Sequence, residues 1–385
     1  MNEVRLGVIG LGNMGAAHAR CVQLGQVPRM KVSAVCDGNP ALLPTDGAIP
    51  TFTDPAELLG SGLVDAVLIA TPHYAHTTLG VAALEAGLHV LVEKPISVHK
   101  ADCERLIAAH AGREKQVFAA MFNQRTDPFY QRIRALVQGG ELGELRRVNW
   151  IITNWFRTEA YYASGGWRAT WAGEGGGVLL NQCPHNLDLL QWLFGMPKTI
   201  RAYCRFGRYH DIEVEDDVTA YMEYANGATG VFITTTGEAP GTNRLEVTGE
   251  RGRLVYEDNR LTFTRNETPM GEFSRTTTAG FATPPVWEVT FPATNHGEQH
   301  VGILKNFTAA ILDGAPLLSP AAEGIHSVEL ANAMLLSTFQ DETIRLPMDA
   351  QVYAGWLQKK AAGSRHKPEP IAPAAAASDF SQSFR

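Results

Sequence analysis

A lysine at the end of an apolar run, a histidine four residues after an asparagine and a glycine-rich turn near the N-terminus are the features of this 385-residue chain best suited to chemistry. Glu93-Lys94-Pro95 closes the run 88–93 at its carboxyl end, the edge at which open α/β sheets bind ligands. Burial and a neighbouring cation lower the pKa of a lysine held there toward the range useful for proton transfer, so Lys94 can meet both a cofactor and a substrate hydroxyl. Asn181, His185 and Asp188 stand at i, i+4 and i+7, one face of a helix expected over 178–194 and preceded by Gly175-Gly176-Gly177. Such a polar stripe among Leu179, Leu180, Leu187, Leu189 and Leu190 is costly to bury without a use, although a satisfied core histidine gives the same pattern.

Gly10-Leu11-Gly12-Asn13-Met14-Gly15 is a G-x-G-x-x-G between an expected strand, 4–10, and an expected helix, 13–24. The first glycine permits the tight turn, the second lets backbone approach a pyrophosphate and the third lets helix pack on strand. The helix N-terminus then offers its free N–H groups to phosphate. Gly10, Gly12, Asn13, Met14 and Gly15 are therefore the expected cofactor cradle. Asp37 ends the second expected strand, 31–37, where a carboxylate would bind ribose hydroxyls and repel a 2′-phosphate, which favours NAD over NADP; a capping aspartate in a turn is the alternative.

Thr71, Pro72, His73 and His76 follow the strand-like run 64–70 and read, with Glu93, as further cofactor contacts. Asn123 and Arg125 end the run 116–122 in position to see nicotinamide or substrate. The segment 154–174 gathers Trp155, Phe156, Tyr161, Tyr162, Trp167 and Trp171 with Arg157 and Arg168. Aromatic faces suit sugar C–H patches, and guanidinium forks suit carboxylate, sulfonate or phosphate. Trp155, Arg157, Tyr161, Asn181 and Arg125 are accordingly expected on the substrate, unless the aromatics form a small core under a long loop. The acidic run Glu213, Glu215, Asp216 and Asp217 reads as a solvated turn, and no metal site is expected.

The elements that must position these residues follow from the pattern. Through residue 125, short runs apolar on both faces alternate with helical stretches, as in a doubly wound parallel sheet with right-handed crossovers. After a helix opened by Asp127 and Pro128 the rhythm changes to strand alternation at 145–153, 199–206, 217–224, 229–235, 243–248, 253–256 and 261–265, with helices at 302–312 and 321–339. The expected division is a Rossmann domain over 1–125, a substrate and oligomerisation α/β domain with a large, open, mostly antiparallel sheet over 126–361, and a Pro/Ala/Ser-rich tail over 362–385. The net charge of −7 lacks a basic footprint for nucleic acid or anionic membrane. No apolar run approaches the roughly 20 residues of a membrane span. Five scattered cysteines and no basic-plus-apolar leader predict a cytoplasmic protein with reduced thiols.

The ordered series of the Gly10–Gly15 fingerprint, Thr71-Pro72 with His76, Glu93-Lys94-Pro95 and the glycine-rich segment leading to His185 resembles the glucose–fructose oxidoreductase/inositol dehydrogenase (Gfo/Idh/MocA) family over about residues 3 to 345. The resemblance implies NAD, Lys94 and His185 at the reacting carbon, a cis peptide before Pro95, Trp167-Arg168 beside the cofactor, and a homodimer or homotetramer formed through the C-terminal sheet. One departure stands out: the family usually has aspartate at the position of Asn181, and an amide holds a hydroxyl but cannot serve as a base. The leading expectation is hydride transfer between a secondary alcohol of a sugar or polyol and the nicotinamide. The alternatives are a glycoside hydrolase that oxidises C3 transiently, eliminates, hydrates and reduces, acting on anionic glycosides such as sulfoquinovosides, and a non-catalytic NAD-binding regulator.

Overall fold

Strands that are apolar on both faces need cover on both. Val4–Ile9, Ala66–Ile69 and His89–Val92 are of this kind and lie in the middle of a six-stranded sheet. Its order is Thr51–Phe52, Met30–Cys36, Val4–Ile9, Ala66–Ile69, His89–Val92, Phe118–Ala120, with every pair parallel. This is the doubly wound order, and its direction reverses beside Val4–Ile9, where such sheets open a crevice at their carboxyl ends. The computed structural model describes residues 2–293 and 295–365, so residues 366–385 of the expected tail lie outside the described residues.

The second sheet has nine strands in the order Val286–Phe291, Arg260–Asn266, Gly252–Glu257, Asn243–Gly249, Leu145–Ile152, Thr229–Thr235, Glu215–Glu223, Thr199–Phe206, Ile344–Arg345. Leu145–Ile152 and Thr229–Thr235 run parallel, and the other pairs are antiparallel. One face is apolar at every second residue, as with Val148, Trp150 and Ile152, and these pack in one core with the helices Pro184–Phe194 and Gly324–Gln340. The Gln299–Asp313 helix instead crosses back and inserts Ile303, Leu304 and Phe307 beside Val4, Leu6 and Val8. Ala120 N donates to Ser319 O at 3.0 Å, so the segment after this helix ties onto the edge of the first sheet. The crevice between the sheets is thereby walled by both halves of the sequence.

Two expectations are corrected here. The helix foreseen over 178–194 begins only at Pro184, whose missing N–H fits the first helical position. Before it the chain turns tightly, with Asn181 N on Gly177 O at 2.9 Å and Cys183 N on Val178 O at 2.8 Å. Asn181 therefore does not share a helix face with His185. The acidic run is not a solvated turn either, since Glu215 and Asp216 are fully buried. Glu215 accepts from Gly177 N at 2.9 Å and Leu179 N at 3.0 Å, which fixes the turn before Pro184, and burial pushes its pKa up to about 7. Asp216 accepts from the backbone of Arg208 and Tyr209 and pairs with His210 at 3.0 Å. Among the described residues no acid, histidine or cysteine cluster could hold a metal ion.

Candidate active site

The Gly10–Gly15 turn is shaped by close approach. Gly10 has φ +90°, and a Cβ on Gly15 would stand 1.7 Å from Gly10 O, so neither position takes another residue without moving the turn. Gly12 differs: a Cβ there would meet nothing within 4 Å. It is the N-cap of the Asn13–Gln23 helix and offers no side chain to the first N–H groups. Asp37 closes the turn from the neighbouring strand, accepting from Leu11 N at 2.7 Å and Asn39 N at 2.8 Å. At the same sheet edge Thr71 Oγ1 and Asn123 Oδ1 are buried without a hydrogen-bond partner among the described residues. An open glycine, uncapped helix N–H groups and two orphaned oxygens are what a dinucleotide laid across this edge would satisfy.

Lys94 follows the fifth strand of the six-stranded sheet, His89–Val92, and its peptide bond to Pro95 is cis, as the resemblance implies. Its Nζ donates to Asn181 O at 2.8 Å, so the turn before Pro184, and not the Asn181 side chain, takes the ammonium. Burial pulls the Lys94 pKa down, with Glu93 and Glu174 opposing that shift and Arg157 and Arg168 adding to it. His185 is 1% exposed at the start of its helix, with Phe122 edge-on at 6.3 Å, and burial together with Lys94 holds its pKa well below the usual imidazole range. The two residues expected at the reacting carbon are thus brought together from positions 91 apart in sequence, 94 and 185.

The aromatic segment packs around them. Tyr161 sits on the short helix Glu159–Tyr162 and its hydroxyl accepts from Arg168 at 2.9 Å and Gln182 at 3.2 Å. The Arg168 guanidinium rests over Trp167 at 4.7 Å and over Tyr161 at 4.6 Å, while that of Arg157 lies 5.2 Å from Tyr161. Trp167 stands edge-on to His73 at 6.1 Å, and His73 Nδ1 meets Glu174 O at 3.2 Å. Trp155 is buried, with its indole N–H on Asn186 Oδ1 at 3.3 Å. On the far side, a cavity of about 650 Å³ is walled by Met14 and His18 of the first helix, by Asn154 and Trp155, and by Tyr256 and His300. His300, a wall residue of this cavity, acts electrostatically on Lys94 and His185, which do not themselves line it.

The matches to known proteins agree with this geometry. Residues 4–121 match the oxidoreductase family with the NAD-binding Rossmann fold, and residues 130–255 match the GFO/IDH/MocA C-terminal domain. Inositol 2-dehydrogenase 1 of Saccharopolyspora erythraea is 35% identical over 292 residues, 68% of this chain and 81% of that protein. The chain belongs to the Gfo/Idh/MocA family. Inositol 2-dehydrogenase 2 of Paenarthrobacter aurescens is 28% identical over 356 residues, covering 88% of this chain and 97% of that one. Among solved structures, the WlbA dehydrogenase of Chromobacterium violaceum, in complex with NADH and UDP-GlcNAcA, aligns with TM-score 0.77 at 26% identity over 91% of this chain and 97% of that chain.

In this Gfo/Idh/MocA protein three expected contacts are corrected. Arg125, expected on the substrate, is fully buried and held bidentately by Asp188 at 2.7 and 2.6 Å, with a third bond to Glu323 at 2.6 Å. His76, expected on the cofactor, spends its ring nitrogens on Pro95 O and Thr71 O, each at 2.8 Å, and so braces the edge without facing it. Glu93 is likewise engaged, by His18 Nε2 at 2.7 Å and by Lys94 N at 3.0 Å, and these cations and imidazoles pull its pKa down to about 2 against its burial. His18, His300 and Glu174 were not foreseen. They come from helices and loops distant in sequence, and no local spacing marks them.

The matched N-terminal family domain is an NAD-binding Rossmann fold, and the open space at Gly12 gives a direct test. Gly12→Ala is expected to leave the melting temperature unchanged, since its Cβ touches no protein atom, yet to weaken NAD about tenfold or more by standing where backbone must approach the pyrophosphate. Calorimetric titration beside a thermal melt separates the two effects; unaltered affinity would move the pyrophosphate away from this turn.

Proposed function

We propose that the protein oxidises a secondary alcohol of a sugar or polyol, with Lys94 taking the hydroxyl proton and His185 orienting the hydroxyl. The observation that carries this reading is that Lys94 and His185 interact electrostatically with His300, which walls a cavity also lined by amide side chains. Gln124, Asn154 and Asn186 line that cavity, and their Oε1, Oδ1 and Nδ2 atoms are buried without a hydrogen-bond partner among the described residues. Two acceptors and a donor of this kind need hydroxyl groups or water to satisfy them. The inositol dehydrogenases and the sugar-nucleotide dehydrogenase named above support the same class.

Bound NAD supplies the hydride acceptor at C4 of its nicotinamide. Gly10, Gly12, Asn13, Met14 and Gly15 would hold its pyrophosphate, Asp37 its ribose hydroxyls, and Thr71, Asn123, Trp167 and Arg168 the nicotinamide end. Lys94, its pKa lowered by burial, donates a hydrogen bond to the alcohol while charged and accepts the alcohol proton when neutral. His185, held neutral by burial, fixes the direction of the hydroxyl by hydrogen bonding. Arg157, with Trp155 and Tyr161 beneath its guanidinium, is placed to take an anionic substituent. The hydrolase alternative gains no support, because the relatives are dehydrogenases by name.

Two coarser readings accompany this one. The exposed Tyr203 and Tyr221 lie on the face of the nine-stranded sheet turned away from the Gly324–Gln340 helix, which supports a homo-oligomer through that face. The five free cysteines fit a reducing compartment, and no described helix is long and apolar enough to cross a membrane. The test of function is a panel of neutral and anionic sugars, polyols and glycosides supplied with NAD. NADH should form mole for mole with oxidised product, whereas aglycone release without net NADH would sink the proposal.

A further inference from the structure

We propose that Glu174 is the charge partner of Lys94, a positioning residue that acts through Asn181 and sets the pH at which the lysine changes its proton. The proposal rests on the reading of Lys94 as the proton-transfer group. It begins with how Asn181 is gripped. Its backbone carbonyl accepts from Lys94 Nζ at 2.8 Å, and its side-chain Nδ2 donates to Glu174 Oε1. That donation fixes the amide orientation and leaves Oδ1 toward the Tyr161 hydroxyl at 3.3 Å. The second Glu174 oxygen accepts from Ala169 N at 2.7 Å, and the residue is 2% exposed. Burial raises the Glu174 pKa, and Arg168, the neutral donors on both of its oxygens and Lys94 oppose that rise and favour the carboxylate.

The groups facing Lys94 leave Glu174 a distinct part. Two carboxylates act on it, Glu93 and Glu174, with Arg157 and Arg168 opposing them. Glu93 is already spent on His18 and on the Lys94 N–H. Burial holds His73, His76, His185 and His300 below the usual imidazole range, hence neutral near pH 7, and pushes the Cys183 thiol up to about 12. Glu174 in turn is faced by Glu215 and the Tyr162 hydroxyl besides the two cations. Asn181 cannot ionise, so the second negative charge at the lysine comes from Glu174. An aspartate at 181 beside Glu174 would put two carboxyls in hydrogen-bond contact, and one of them would have to keep its proton.

This geometry specifies a swap. E174Q removes the charge and turns an NH₂ toward the Asn181 NH₂. The pair E174Q/N181D reverses the bond, with the amide introduced at 174 donating to the new carboxylate at 181, Ala169 N still served and one carboxyl retained. The readout is the ionisation midpoint of Lys94 in the full chain, measured by competitive acetylation with acetic anhydride across pH and peptide mass spectrometry, with thermal melts to show folding. E174Q is expected to lower the midpoint by about one unit or more, which makes labelling below the midpoint about tenfold faster, and the swap is expected to bring it back. Equal midpoints in the three proteins overturn the proposal, as does a midpoint that stays low in a folded E174Q/N181D. Acetylation needs no substrate. Failure of every sugar and polyol to reduce NAD would therefore strike the proposed function and leave the midpoints as measured.

Discussion

Lys94→Ala is expected to lower turnover by about 100-fold or more with NAD affinity within a few-fold of the wild type, and His185→Ala to do the same. Removing the lysine takes away both the hydrogen bond that holds the alcohol and the group that receives its proton. Neither residue lies on the Gly10–Gly15 turn or at Asp37, so the affinity for NAD should survive. The pH dependence follows from the sign of the shift. Burial lowers the Lys94 pKa, so the neutral base becomes available below the ordinary 10.5 of lysine, and alcohol oxidation should rise with pH to a plateau reached before that value. Lys94→Ala should flatten that rise. Stopped-flow turnover across pH, beside NAD titration, measures both; wild-type turnover in either variant would remove that residue from the mechanism.

Arg125→Ala is expected to cost about 3–5 kcal/mol of stability, because it strands Asp188 as an uncompensated buried charge. Arg125 and Asp188 are both fully buried, and the guanidinium also stacks near Phe122 at 5.7 Å and Trp192 at 5.3 Å. It ties the turn Asn123–Thr126 at the edge of the first sheet to the His185 helix and, through Glu323, to the turn Ala321–Glu323 before the Gly324–Gln340 helix. Arg125→Ala with Asp188→Ala should lose much less than the sum of the single changes, a coupling that denaturant melts of the four proteins would reveal. A normal melt in Arg125→Ala combined with weakened substrate binding would return this residue to the substrate site.

Much of the site was legible because its parts are local in sequence. The Gly10–Gly15 turn carries its strand and helix within a few residues, and Lys94 ends an unmistakably apolar strand. Asp37 was placed by the strand before it. What could not be read depends on partners far along the chain. Arg125 looks free at the end of its strand because Asp188 and Glu323 lie 63 and 198 residues away. Glu215 and Asp216 look solvated because a run of acids usually is; here one caps the turn at Gly177 and Leu179, and the other organises the Arg208–His210 loop. Pro184 was a legible stop, since proline at a first helical position signals where a helix begins, and the expected helix ran through it. The strand Val286–Phe291 and the helix Ala350–Ala362 escaped notice altogether. The strand is half exposed at the sheet edge and carries no clean alternation of burial, and the helix buries only Ala350, Tyr353 and Leu357.

The central claim is that hydride passes directly from a carbon of a sugar or polyol to the nicotinamide, beside Lys94 and His185. Its most direct test takes whichever member of the panel reduces NAD, supplies it deuterated at every carbon in ordinary water, and weighs the NADH by mass spectrometry. One deuterium on the nicotinamide of each NADH formed, absent with the undeuterated substrate, is the predicted result. NADH without deuterium, or consumption of substrate with no lasting NADH and deuterium lost from the sugar to water, would contradict it.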